Sequence, residues 1–153
     1  MFSLIITIIS IALVAALALA TIYYGGSAFN KGSAEARASQ LINEGQQLNG
    51  AVALAKADFA SGERGTQIAT VGGLDPAYLA QIPTGWDETV DVTAASGVLT
   101  HTSANVTAEV CASVNRKSGL DAATVLTAPS ANVYSCFTTG TGPTATRTVA
   151  YRF

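Results

Sequence analysis

Charge is missing from the first 30 residues of this 153-residue chain, since Lys31 carries the first charged side chain. All 8 basic and 10 acidic residues lie between Lys31 and Arg152, and the formal net charge is −2. No basic cluster is larger than the pair Arg116 and Lys117. This charge balance excludes binding to nucleic acid or anionic lipid through overall positive charge.

Histidine and cysteine are also scarce. His101 is the only histidine, and it lies in a stretch rich in Thr and Ser with no free cysteine expected beside it. Because no nucleophile and general base can be assembled around it, we expect His101 to be structural and the chain not to be an enzyme. The glycines place no phosphate-binding loop between a strand and a helix, and we expect no cofactor.

The two cysteines, Cys111 and Cys136, are an even number in a domain joined to a long apolar segment. This favours one disulfide formed in an oxidising compartment, and the alternative is a pair of free buried thiols. Closing a loop of about 25 residues would stabilise the fold by roughly 3–4 kcal/mol.

A continuous apolar segment opens the chain. A helix from Met1 to Tyr24 would be about 36 Å long, whereas the hydrocarbon core of a bilayer is about 30 Å thick. A cleaved secretory signal would carry a basic region before its apolar stretch, and none precedes this one. We expect residues 1–30 to form a membrane helix that is kept in the working protein.

The orientation of this helix presents a conflict. Lys31 and Arg37 follow it, and basic residues favour the cytoplasmic side, which would place the cysteines in the cytoplasm. A disulfide needs the opposite orientation. We therefore expect that a short basic leader preceded Met1 and was removed, so that the rest of the chain lies outside the cytoplasm.

Small residues lie along the apolar helix. Ser3, Thr7 and Ser10 share one face, and Ala12 and Ala16 belong to a small-residue series on another. Such faces permit close contact between helices. The hydroxyl groups could equally bond to carbonyl oxygens of their own helix, and this alternative stays open.

A second helical pattern follows, over residues 31–61. Its apolar positions recur at steps of three and four, and they include Leu41, Leu48, Val52 and Phe59, which we expect to pack on a sheet. Between the two helical segments, Gly25 and Gly26 each cost about 1 kcal/mol relative to Ala. We therefore expect an unwound or bent turn near residues 25–27.

The remainder, residues 62–153, is large enough for one small domain with a single core. Alternating residues predict strands at 89–93, 97–102, 132–138 and 146–153, with the last strand buried on one face only. Pro76 suits the first turn of a short helix that ends before Pro83. Thr107 and Gly119 suit the start and stop of another short helix. The fold class expected is α+β, with the long helix packed on a small antiparallel sheet.

Two further features are weak candidates for sites. Asp87, Glu88 and Asp91 could hold Ca²⁺ through oxygen ligands, but a solvated loop is the favoured interpretation. The sequence from Asn105 to Thr107 matches the N-glycosylation sequon, a short match that often arises by chance.

The order of these features resembles the type IV pilins, in particular the type IVb branch. The resemblance lies in the apolar segment, the glycine pair, the amphipathic stretch "SAEARASQLINEGQQLNGAVALAKADFASG", the loop "LDPAYLAQIPTGW", the small sheet and the cysteine pair. It implies a subunit stored in the inner membrane, cut by a prepilin peptidase and N-methylated at Met1, then added by an assembly machinery to an extracellular filament of identical subunits.

The resemblance also implies which residues form the filament core. These helix contacts would involve Ser3, Ile5, Thr7, Ser10, Ala12 and Ala16. One departure from the family is Ile5, because most pilins carry a Glu there that neutralises the terminal amine of a neighbouring subunit. A charged amine buried without a partner costs several kcal/mol, so it would need carbonyl or hydroxyl oxygens instead. The resemblance fits a major or a minor subunit.

Two other functions remain open from the residues alone. A membrane-anchored extracytoplasmic binding module would use the same apolar helix only as an anchor. A virion coat subunit would share the architecture but would enclose nucleic acid, and the chain has no basic segment to face that cargo. A filament subunit is the function we expect, with no specific nucleic-acid partner.

Overall fold

The computed structural model describes residues 2–63 and 65–153, apart from the side chain of Pro143. The chain divides into two compact units, one ending at Ser33 and the other formed by Ala34–Phe153. Its elements are the helices α1 (Phe2–Ser61) and α2 (Ala108–Lys117), the strands β1 (Val98–Thr102), β2 (Tyr134–Thr139) and β3 (Thr146–Arg152), and the 3₁₀ turns Val71–Leu74 and Gly142–Thr144. A long helix on a small antiparallel sheet confirms the expected α+β class.

Helix α1 is continuous from Phe2 to Ser61, and the predicted break at Gly25 and Gly26 is wrong. Neither glycine has a positive φ, and an added Cβ at either would meet nothing within 4 Å. Unwinding here would leave backbone groups without helical partners beside an apolar segment, which costs more than the roughly 1 kcal/mol of helix propensity that each glycine loses. The helix therefore continues through both.

The C-terminal part of α1 buries one face. Leu41 and Leu48 are fully buried and Val52 is 1% exposed, so these three side chains lie in the core of the domain. Phe59 was expected among them, but it is 40% exposed. The buried face of α1 ends at Ala55, so the turn that carries Phe59 has no core beneath it.

Gly45 marks a close approach of the helix to the domain core. A Cβ added there would lie 2.7 Å from Cδ2 of Tyr151 and 3.1 Å from Cη2 of Trp86. Both rings belong to the hydrophobic core that Leu48 and Val52 also enter. Gly45 is thus the position where the absence of a side chain lets helix and sheet pack together.

The sheet has the order β1-β3-β2, and both pairings are antiparallel. The three strands match the expected segments 97–102, 132–138 and 146–153 to within about two residues at each end, which is the usual uncertainty of such boundaries. The one-sided burial expected for the last strand is wrong, because the four residues from Thr148 to Tyr151 are all buried.

The position of β3 at the centre of the sheet explains this burial. Val149 belongs to the core that includes Leu41 of α1. On the opposite face, Ala150 pairs with Ser135, whose hydroxyl oxygen accepts a hydrogen bond of 3.1 Å from the amide of Ser130. The segment through Ser130 covers that second face, so neither face of β3 is left to solvent.

Helix α2 forms where the expected helix lay. The Thr107 hydroxyl oxygen accepts a hydrogen bond from the amide of Val110, and Gly119 has the positive φ of 81° that suits the residue after a helix. Glu109 lies in the first turn and Arg116 in the last, where their charges complement the helix dipole.

Two other predicted elements are absent from the described residues. The strand expected at 89–93 is reduced to a single bridge between Thr70 and Asp91. The helix expected before Pro83 is replaced by the 3₁₀ turn Val71–Leu74 and an irregular turn after it. The amides of Tyr78 and Leu79 both donate to the carbonyl oxygen of Leu74, which makes one turn rather than a helix. The Tyr78 hydroxyl donates to Asp58 Oδ2 at 2.7 Å and holds this turn against α1.

Candidate functional site

The apolar surface of α1 is formed by residues 2–24. Every large hydrophobic side chain on it is at least half exposed, from Ile5 at 52% to Phe2 at 85%. One 18-residue window of the helix has a mean hydropathy of 2.8, and none of it is buried. By length and composition this helix can cross a membrane. Exposed apolar surface of this extent requires a covering of lipid or of other protein.

The predicted contact residues Ser3, Ile5, Thr7, Ser10, Ala12 and Ala16 all lie on this apolar surface and are exposed. The described part of the chain does not bury them, so their role in a filament stays a prediction. Met1, the expected site of processing and methylation, lies outside the described residues. For Thr7, the alternative of a bond within its own helix is confirmed, because its hydroxyl donates to the carbonyl oxygen of Leu4 at 2.8 Å.

The hydroxyl group of Thr21, at the other end of the apolar segment, also bonds within the helix. Thr21 Oγ1 lies 3.0 Å from the carbonyl oxygen of Leu17 and 2.9 Å from that of Ala18. Nearby, the rings of Tyr23 and Tyr24 contact each other edge to face with centroids 5.4 Å apart, and both are exposed. Tyrosine at the end of an apolar helix is typical of a membrane–water interface.

Asn115 covers one edge of the sheet. Its side-chain amide donates to the carbonyl oxygen of Cys136 at 3.0 Å and accepts from the amide of Cys136 at 2.7 Å. Further along β2, the amide of Thr138 donates to the carbonyl oxygen of Leu126 at 2.7 Å. The outer hydrogen-bonding groups of this part of the strand are therefore occupied within the chain. The sequence did not predict that Asn115 would bond to the edge of the sheet, because its position in the sequence is that of an ordinary polar residue in a helix.

The other edge strand, β1, is covered by the turn at residues 85–87. The amide of Thr102 donates to the carbonyl oxygen of Gly85 at 3.1 Å, and the amide of Asp87 donates to that of Thr100 at 2.9 Å. An open edge strand is the usual template for adding a strand from another chain. With both edges occupied at these positions, strand addition is not a route of association that this domain offers there.

The two cysteines form the expected disulfide. Cys111 in α2 and Cys136 in β2 are joined with a Cα–Cα distance of 5.2 Å. The cysteines enter the same core as Leu41, so the bond fixes α2 against the sheet beneath α1. Because both cysteines are buried in the core, we interpret the disulfide as a bond that stabilises the fold.

The weaker candidates have local structural roles. Asp87 Oδ1 accepts hydrogen bonds from the amide and hydroxyl of Thr89, and Asp91 Oδ1 does the same with Thr93. These bonds, first of all those from the hydroxyl groups, lower the pKa of both carboxyls. In the part of the chain that is described, no three acidic, His or Cys side chains converge as a metal site would need.

Asn105 is exposed in the turn before α2, while the hydroxyl oxygen of Thr107 caps that helix. His101 is buried within the sheet rather than exposed at a cleft.

Comparisons with protein-family models, with curated proteins and with solved structures find no match to this chain.

Proposed function

We propose that this chain is the structural subunit of an extracellular filament of the type IV pilus kind. Its apolar helix is held in the inner membrane before assembly and packs against the helices of other copies afterwards. The observation that carries the proposal is that every residue from 2 to 33 is exposed, in a helix whose next residues enter the hydrophobic core of the domain. One apolar surface can be covered first by lipid and then by identical helices.

The shape of the apolar surface supports an assembly role. Apolar side chains surround the helix over residues 2–24, whereas an ordinary surface helix has a polar face. A helix that is apolar all round is buried in lipid or in protein. A filament core made of parallel copies would bury it on every side without requiring a second kind of protein.

The domain formed by Ala34–Phe153 supports the proposal in a different way. It has its own core, a disulfide and occupied sheet edges, so it does not depend on another copy to complete its fold. Association through the apolar helix would leave this domain intact on the outside of the filament. Such a division between a buried helix and a displayed domain fits a filament subunit.

Because position 5 is Ile5, this chain offers no carboxylate there to neutralise the terminal amine of a neighbouring copy, and the amine needs another partner. The hydroxyl hydrogen of Thr7 is directed to the carbonyl oxygen of Leu4, so the oxygen of Thr7 is left with accepting capacity. An ammonium group has only donors, and such an oxygen can accept from it. We therefore place the amine of the neighbouring copy near backbone carbonyl groups and Thr7 rather than a carboxylate.

Two matched valine variants test the proposal. Val14 is 66% exposed in the apolar segment, and Val125 is 73% exposed in the domain. A charged residue near the centre of a membrane helix costs about 2.5–3.5 kcal/mol. Val14→Asp should therefore remove the protein from the sheared extracellular fraction, while Val125→Asp should leave its yield unchanged.

The N-terminal peptide of the sheared material is read in the same experiment by mass spectrometry. A filament fraction containing a processed Met1, with or without a methyl group, supports the proposal. Wild-type protein that stays in the membrane and is monomeric in detergent would contradict it and identify an anchored module. Particles containing nucleic acid would identify a coat subunit instead.

A further inference from the structure

His101 lies on β1 with a side chain that is 1% exposed. Its ring contacts Trp86 edge to face, with centroids 5.4 Å apart. On another side lies the backbone of Gly85, where an added Cβ would be 2.5 Å from Cε1 of the ring. Gly85 has a φ of 94°, a conformation that favours glycine. The imidazole is therefore enclosed, with no free space on the Gly85 side.

The ring nitrogens of His101 have no hydrogen-bond partner among residues 2–63 and 65–153. The charged groups that face the ring are Glu44 and Arg37, both on α1, while β3 places the uncharged Val149 opposite. Burial lowers the pKa of His101; Glu44 opposes this shift and Arg37 adds to it. The folded protein thus holds this histidine in its neutral form at neutral pH.

Three elements meet at this ring. The turn at 85–87 pairs with β1 on both sides of His101, through the bonds from Thr102 to Gly85 and from Asp87 to Thr100. Trp86 Nε1 also donates to Glu44 Oε2 of α1 at 3.0 Å. The turn at 85–87 is therefore bonded both to the sheet and to the amphipathic part of α1, and the uncharged imidazole of His101 lies among these bonds.

We propose that this cluster is an acid-sensitive latch, in which protonation of His101 releases the turn at 85–87 from β1 and α1. An imidazolium has two N–H donors and needs acceptors for both. The acidic group whose charge acts on the ring is the carboxylate of Glu44, which already accepts from Trp86 and, at 2.7 Å, from Gln40 Nε2. The charged ring must compete with Trp86 for that carboxylate or leave its enclosure, and either change loosens the turn.

The direction of the pH effect follows from the lowered pKa. An unfolded or opened chain binds a proton on His101 near about pH 6.5, and the closed state binds it only at lower pH. The closed state is therefore fully stable above about pH 6.5 and loses stability as the pH falls below it. One proton of difference changes the opening equilibrium by at most about tenfold per pH unit.

The assignment to one residue is unambiguous in this chain. His101 is its only histidine, and histidine is the only side chain whose ordinary pKa lies between about 5 and 8. Carboxyl side chains as a class have ordinary pKa values below that window. A protein prepared without a histidine tag therefore reports this single ring.

Hydrogen exchange of two amides tests the latch in the full-length chain in detergent micelles. The amides of Asp87 and Thr102 close the turn onto β1, so their protection, corrected for intrinsic exchange, should fall several-fold, and by at most about eightfold, between about pH 7 and 5.5. The amides of Val110 and Cys111 in α2, where the cluster has no part, should keep their protection. Equal protection of Asp87 and Thr102 at both pH values overturns the proposal.

His101→Phe provides the variant without a titrating ring, and its protection at Asp87 and Thr102 should not depend on pH in this range. A pH-dependent loss that persists in this variant overturns the proposal. If the variant does not fold, the imidazole resonances of the unaltered chain supply the second measurement. The ring should titrate below about pH 6.5 together with the loss of protection, and titration at or above that value also overturns the latch.

Discussion

The two parts of α1 belong to one continuous helix but have opposite surroundings. From Phe2 to Ser33 every residue is exposed, whereas from Ala34 to Ala55 one face is buried in the core of the domain. As far as Tyr24 the first part is apolar around its circumference, and the second is apolar mainly on the face that the domain covers. Both parts are therefore helical. They differ in that the domain covers the apolar residues of the second part, whereas nothing in the described chain covers those of the first.

Deletion of residues 1–24 should have the largest effect, because it removes the apolar part of α1 and leaves the part that packs on the domain. The remaining chain should be a soluble monomer with the disulfide between Cys111 and Cys136 intact, because its core residues all lie beyond the deletion. Membrane fractionation, sedimentation and a thiol assay on the purified protein measure these properties. Long filaments formed by the truncated chain would show that the apolar segment is not the assembly surface.

Two leucines compare the parts by a single substitution. Leu48 is fully buried, and Leu48→Ala should destabilise the domain by about 2–5 kcal/mol through lost packing and the cavity left behind. Leu13 is 60% exposed, and Leu13→Ala should leave the unfolding of the domain unchanged. Urea unfolding in detergent, followed by the fluorescence of Trp86, measures both. Similar losses from the two variants would mean that the parts unfold as one cooperative unit.

The disulfide should stabilise only the second part. Its cysteines are 25 residues apart, and replacing both Cys111 and Cys136 by Ala should destabilise the domain by about 3–4 kcal/mol, as estimated from the entropy of loop closure. The partition of the full chain into membranes should not change, since that depends on the apolar segment. Reduced membrane retention of a still-folded variant would contradict this independence.

The smallest effects should have opposite signs in the two parts. Gly25→Ala meets no atom within 4 Å and should stabilise the helix by up to about 1 kcal/mol, as measured by helix content on heating. Gly45→Ala brings a Cβ to within 2.7 Å of the Tyr151 ring and should destabilise the domain. A loss of helix stability in Gly25→Ala would indicate that this glycine has a contact outside the single chain.

Local patterns predicted those elements that depend on local signals. Helix α2 lies where the Thr107 cap and Gly119 placed it, and the three strands follow their alternation. The glycine break failed because propensity is a small term beside the backbone hydrogen bonds of a long helix. The short helix at Pro76 failed because tertiary contacts, such as Tyr78 with Asp58, fix that segment.

Features that arise from packing between distant segments could not be predicted from local patterns in the sequence. The burial of both faces of β3 depends on its central position, which the order of strands along the chain does not give. Asn115 and the turn at 85–87 cover sheet edges through contacts with residues far along the sequence. The candidate assembly surface, in contrast, could be predicted from the sequence, because the segment that forms it carries no charged side chain. The structure adds that no other part of the described chain packs on this surface.

The most direct test of the central claim is photo-crosslinking in cells, with the same photoactivatable residue placed at Val14 or at Val125. Both side chains are exposed in the single chain, at 66% and 73% respectively. We predict covalent dimers and larger species from position 14 in the sheared extracellular fraction. Position 125 serves as the exposed control in the domain. Crosslinks from position 14 that reach only lipid, in cells that nevertheless produce extracellular filaments of this protein, would contradict the account.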